Sequence, residues 1–134
     1  MQSKLFSRRY LVTVMLVLLF ALPMFARESS EMKVNLKTSL TGASFNGATP
    51  AGRVEYELES SSRKLSFEVR NIVLTAGSVV DVYANGTKVG TISIRNHGGT
   101  LLRSTFANQS VPSLSVGSTL TVKFGSTTVL HGKF

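Results

Sequence analysis

The chain has 134 residues, 43% of them hydrophobic, and a formal net charge of +8 at pH 7. That length holds one domain. It contains no cysteine, which excludes disulfides, thiolate metal sites and a cysteine nucleophile.

Residues 1–26 place Lys4, Arg8 and Arg9 ahead of an apolar run, Tyr10–Leu22, that leads through Pro23-Met24-Phe25-Ala26 to Arg27-Glu28. A basic start, a short apolar stretch and a small residue at the exit are the order of a secretory signal. The run is shorter than the roughly 20 apolar residues of a spanning helix. Met24 stands where a small residue is preferred, so an uncleaved N-terminal anchor is the alternative, and with it the one expected contact with a membrane. Ser7-Arg8-Arg9-Tyr10-Leu11 also resembles the twin-arginine export signature, while the strongly apolar run after it points to the general secretory route. A polar leader, 27–31, precedes a single folded domain, 32–134. About 108 residues follow position 26, near the commonest domain size. An exported domain without disulfides relies on apolar burial, which fits a bacterial envelope protein in the periplasm, outside the cell or on its surface.

Setting aside Lys4, Arg8 and Arg9 leaves 12 basic residues against 7 acidic ones, a net charge of +5. The basic residues are spread singly along the chain, among them Lys33, Lys37, Arg53, Arg70, Lys88, Arg95, Arg103, Lys123 and Lys133. A nucleic-acid binder gathers its charges into a stripe interleaved with stacking aromatics. Scattered charge on alternating positions describes the solvent faces of strands, so nucleic acid is not an expected partner.

Met32–Leu40 alternates, with Met32, Val34 and Leu36 on one face and Lys33, Asn35 and Lys37 on the other, the period of a half-buried strand. Thr41–Gly52 carries three glycines and Pro50 and reads as a loop from which Phe45 turns to the core. Arg53–Glu59 alternates most sharply, with Val54, Tyr56 and Leu58 inward. Ser60–Arg63 is a turn, and Lys64–Arg70 repeats the pattern with Leu65, Phe67 and Val69 inward. Glu55, Glu57 and Glu59 share a face, but Arg53, Lys64 and Arg70 lie on it too, so it reads as a charge-paired surface rather than a catalytic or calcium cluster.

Asn85-Gly86 between the β-branched runs of Ser78–Ile94 is the strongest short hairpin signal in the chain. Simple pairing leaves Ile92 and Ile94 on the wrong side, and a bulge at Gly90 restores them to the face of Val80 and Val82. Asn96–Thr100 is a loop. Leu101–Phe106 is a strand with Leu102 and Phe106 inward, and Val111-Pro112 starts an extended segment. Thr119–Phe124 and Thr128–Phe134 are the last two strands. Eight or nine short strands at near ten-residue spacing predict an all-β, antiparallel, Greek-key-like β-sandwich behind an N-terminal signal helix.

A shift of 40 residues lays Leu74, Gly77, Ser78, Val80, Val82 and Val89 on Leu114, Gly117, Ser118, Leu120, Val122 and Val129. This predicts two equivalent hairpins, placed on opposing sheets. The stretches Thr41–Tyr56, Leu65–Gly77, Val82–Gly90 and Val111–Gly117, with the closing His131-Gly132-Lys133-Phe134, resemble small exported bacterial all-β domains of unknown function. The opening half is distantly similar to CHRD-type domains and to the copper–zinc superoxide dismutase sandwich. The dismutase resemblance would imply metal-binding histidines near Val82–Asn85, where this chain has Val82, Tyr83, Ala84 and Asn85, so no metal chemistry carries over.

The two histidines, His97 in a glycine-rich loop and His131 on the last strand, have no acid or cysteine at ligand spacing. Asp81 is the only aspartate, and no G-x-S-x-G pattern accompanies it. The sequence therefore predicts a protein that is not an enzyme, holds no cofactor or metal, and binds a protein or glycan partner. The alternative is a metal- or small-ligand-binding envelope protein using His97, His131 and Asp81.

Overall fold

The computed structural model describes residues 33–134, so the signal (1–26), the leader (27–31) and Met32 lie outside the described residues. Eight antiparallel strands follow: β1 (Lys33–Thr41), β2 (Ala51–Glu59), β3 (Ser62–Arg70), β4 (Val79–Ala84), β5 (Thr87–Ser93), β6 (Gly99–Ser104), β7 (Thr119–Phe124) and β8 (Thr127–Lys133). A single 3-10 turn, Thr105–Ala107, is the only helical element among the described residues. None of it is long and apolar enough to cross a membrane.

The all-β antiparallel reading stands, but the strands do not separate into two hydrogen-bonded sheets. They form one, in the order β5-β4-β7-β8-β1-β2-β3-β6. Its halves meet at one corner through the single pair Thr41↔His131 between β1 and β8. At the other corner β5 and β6, the two ends of the sheet, approach without a ladder, and the result is a nearly closed barrel. A barrel of eight strands is only wide enough for side chains to fill. Tyr56, Phe67, Leu65, Ile72, Ile92, Ile94, Leu120 and Leu130 fill it. The loops 42–50, 71–78 and 94–98 close one end. There Asn46 Nδ2 donates to the Val73 carbonyl at 2.8 Å and the Phe45 ring meets Phe124 edge-on. Segment 105–118 closes the other end with buried Val111 and Leu114, joined by Phe134 against Tyr56. That segment is loop and 3-10 turn, and the extended segment expected from Val111-Pro112 joins no strand of the sheet.

The hairpin β4–β5 turns on Asn85 (φ 51°) and Gly86 (φ 79°), the two positive φ angles of a type I′ turn. The bulge exists, one residue from its expected place. Val82 pairs with Gly90 and Tyr83 with Lys88, so Val89 is the extra residue. Gly90 keeps the inward position because a Cβ there would lie 2.9 Å from Leu101 Cδ2, which reaches across from β6. Ile92 and Ile94 are buried as predicted.

Hairpin β7–β8 repeats this pattern at a spacing of 40 residues. Val122 pairs with Leu130 and Lys123 with Thr128, leaving Val129 as the extra residue where Val89 stands in the first hairpin. Gly77 and Gly117 have φ of 91° and 93°. Ser78 N donates to the Thr75 carbonyl and Ser118 N to the Ser115 carbonyl. The hairpins are neighbours in the sheet rather than on opposing layers: β4 pairs with β7, and Val82 faces Val122, its own counterpart.

Asn85 also does more than close its turn. Its Oδ1 accepts from Thr119 N at 2.9 Å and its Nδ2 donates to Ser118 Oγ at 3.3 Å, tying the first hairpin to the start of β7. Asn85→Ala should cost about 2–5 kcal/mol: left-handed backbone costs an alanine roughly 1–2 and each of the two lost bonds about 0.5–1.5. Asn85→Gly keeps the turn and should lose only the bonds. Urea denaturation of both variants measures the difference, and equal losses would show that the backbone conformation contributes nothing.

Candidate functional site

Register fixes which side chains reach the outside of β1, β2, β3 and β6. Asn35, Glu57 and Lys64 align across β1, β2 and β3, and Ser66 aligns with Leu102 of β6. Ion pairs cover this face: Lys33–Glu59 at 3.5 Å, Lys37–Glu55 at 3.4 Å and Arg53–Glu68 at 2.8 Å. The hydrogen bond from Arg53 to Glu68, reinforced by the carboxylate's charge, raises the guanidinium pKa above its usual value. Arg53 therefore stays charged at any pH at which the protein is handled. Glu55 and Glu59 thus belong to a paired surface, Glu57 stands opposite Lys64 in register, and among the described residues no three His, Asp or Glu side chains gather as a metal site would require.

Three shallow depressions on this side share Glu57. One of about 240 Å³ lies between Glu55, Glu57, Lys64, Ser66 and Leu102. A second, of about 290 Å³, runs along Asn35, Glu57 and Glu59, and the third ends at Phe106. Enclosed pockets for small molecules usually span about 300–1,000 Å³ and bury most of the ligand. Open hollows of this size suit side chains or sugar rings of a larger partner laid across the strands.

Leu102 and Phe106, expected inside, are 56% and 85% exposed. The inversion starts at Gly99. It pairs with inward Val69, and a Cβ there would overlap Ile92 Cγ2 of β5, so glycine takes the crowded inner place. Leu101 and Arg103 then point inward, and Leu102 points out. Phe106 follows in the 3-10 turn capped by Ser104 Oγ, which accepts from Phe106 N at 3.2 Å. Two adjacent leucines gave no alternation from which to read the phase. The signal that was available is the glycine pair, Gly98-Gly99, which marks where strands crowd.

The structure does not bring His97, His131 and Asp81 together. His97 occupies the β5–β6 turn at φ 61°, where its carbonyl accepts from Ile72 N. Asp81 sits on the outside of β4, paired with Lys88 at 3.0 Å. His131 is on the outside of β8, between Thr41 of β1 and Thr121 of β7. The ligand set of the alternative reading is therefore dispersed over a turn and two non-adjacent strands.

No protein-family model, curated protein or solved structure matches the chain.

Proposed function

We propose that this chain is an exported binding module, without catalytic activity, that engages a protein or glycan partner through the outer face of β1, β2, β3 and β6. One observation carries the reading: Leu102 and Phe106 stand exposed beside the hollows that meet at Glu57. Apolar side chains exposed next to polar hollows mark interaction surfaces more often than scattered single residues do. The charged pattern of residues 1–26 supports export. The two halves of the barrel, β6-β3-β2-β1 and β5-β4-β7-β8, serve on this reading as the two layers of a flattened sandwich. One layer presents the binding face, and the other backs it.

Leu102→Ser and Phe106→Ser, combined, should leave stability within about 0.5 kcal/mol, as expected of surface changes away from structural features. A photo-crosslinking residue at position 106 should trap a partner in the cell envelope, and the same residue at position 91, on the other half, should not. Equal trapping at both positions, or none at 106, overturns the assignment.

A further inference from the structure

We propose that the inner face of the barrel, at the end closed by residues 105–118, binds a small oxyanion through Arg103, Arg63 and the Tyr56 hydroxyl. The register sets Tyr56, Leu65 and Arg103 side by side across β2, β3 and β6, on the inner face. With strands about 4.8 Å apart, the first and last of these stand about 10 Å apart at Cα, within joint reach of two long side chains. Arg63 lies two residues before Leu65 on the same face, a diagonal neighbour of Arg103 at about 7–8 Å. It is already positioned: its Nη1 donates to the Val111 carbonyl at 3.0 Å, and its backbone N donates to Thr105 Oγ1 at 2.9 Å.

Donors and acceptors are mismatched on this inner face. Tyr56 is fully buried and its hydroxyl has no hydrogen-bond partner, and Arg103 Nε is buried with none either. They are the two such side-chain atoms among the described residues. The four ion pairs among those residues all use carboxylates on the outer face, and none takes in Arg63 or Arg103. Glu57 and Glu59 border a surface hollow with Arg63. Both nonetheless stand on the outer face, and Glu59 is held by Lys33. Two cations and a hydroxyl thus share one inner belt, and neither guanidinium has a carboxylate within 4 Å, that of the C-terminal Phe134 beside Tyr56 included. A water would take two of the donors and leave the charge. An oxyanion takes all three and offsets the charge, and the planar guanidinium fork matches carboxylate and phosphate oxygens. Arg103 is on β6 beside the β5–β6 corner, where no ladder closes the wall.

The test uses the full chain, titrated with inorganic phosphate or with acetate against chloride at constant ionic strength. Thermal unfolding and the Arg103 Nε–H resonance are followed. Either anion should raise the midpoint saturably and move that resonance, and Arg103→Gln should abolish the rise in midpoint. A response to phosphate alone, or to acetate alone, supports the site and identifies its oxyanion. Tyr56→Phe removes only the orphan oxygen. Without anion it should be at least as stable as the parent, and its dissociation constant should rise about three- to tenfold, the weight of one hydrogen bond. Absence of a saturable rise with either anion, a rise retained in Arg103→Gln, or an unchanged dissociation constant in Tyr56→Phe overturns the proposal.

Discussion

Truncating Phe67 to alanine should remove about 3–5 kcal/mol of stability, the range for emptying a buried aromatic site. Phe67 is fully buried on β3, between Val54 of β2 and Leu101 of β6. Its ring lies inside the barrel within the cluster of fully buried side chains. Domains of this kind hold only about 5–15 kcal/mol in total, so the variant gives up a large share of its stability. In urea the midpoint should fall with an unchanged slope, since the surface exposed on unfolding is the same. Phe106→Ala gives the contrast, the same residue type on the outside, and should move stability by no more than about 0.5 kcal/mol. A loss below about 1 kcal/mol at Phe67 would mean that the inward phase of β3 is wrong.

Gly42→Ala should cost roughly 1–3 kcal/mol or more. Gly42 follows β1 at the corner where the two halves join, and a Cβ there would overlap the Val129 carbonyl oxygen, with Pro50 Cγ at 3.2 Å on the other side. Val129 cannot retreat easily, because it is the extra residue of the β8 bulge and its side chain is buried in the core. Relief must come from parting β1 and β8, which share only Thr41↔His131. Amide hydrogen exchange should therefore quicken around Thr41 and His131 while β2–β3 stays protected. Gly47→Ala is the control. Gly47 has φ of 86° but open space around it, so alanine there meets backbone strain alone, about 1–2 kcal/mol. If Gly42→Ala exchanged at the corner no faster than Gly47→Ala, the corner would not be the point of strain.

The parts of the fold that were legible in the sequence are those decided within a few residues. The alternation of Arg53–Glu59 and Lys64–Arg70 gave two strands with their inner faces, and Asn85-Gly86 gave a turn type, because side-chain period and backbone φ are local properties. Ser60-Ser61 shows where that stops. The turn there takes two residues, not four, with Ser60 at φ 54°, and a run of serines carries no mark of which one adopts it. The bulge could be inferred from the need to bury Ile92, but its place depends on Leu101 pressing over Gly90 from a strand not yet built when the hairpin is read. Closure of the sheet is further removed still, because β6 pairs with β3 across the whole β4–β5 hairpin. The same applies to the binding face. Phe106 reads as a core residue until β6 is phased by Gly99, and Arg103 reads as a surface charge for the same reason.

In the β4–β7 ladder, Val82 meets its own counterpart Val122, and the residues on either side exchange counterparts, Asp81 with Lys123 and Tyr83 with Thr121, so the two strands are related by a local two-fold axis, the arrangement of an isologous contact between identical subunits. Such a surface is complementary to itself. A hairpin β4–β5 from one molecule presents to a second molecule much the same edge that β7 presents within its own, and the two outcomes differ mainly in connectivity. Residues 94–118 decide between them, since the tether holds the second hairpin near the first at an effective concentration of the order of millimolar, and β6 within that tether is itself anchored on β3. Strand exchange between molecules is thus disfavoured by chain linkage more than by shape.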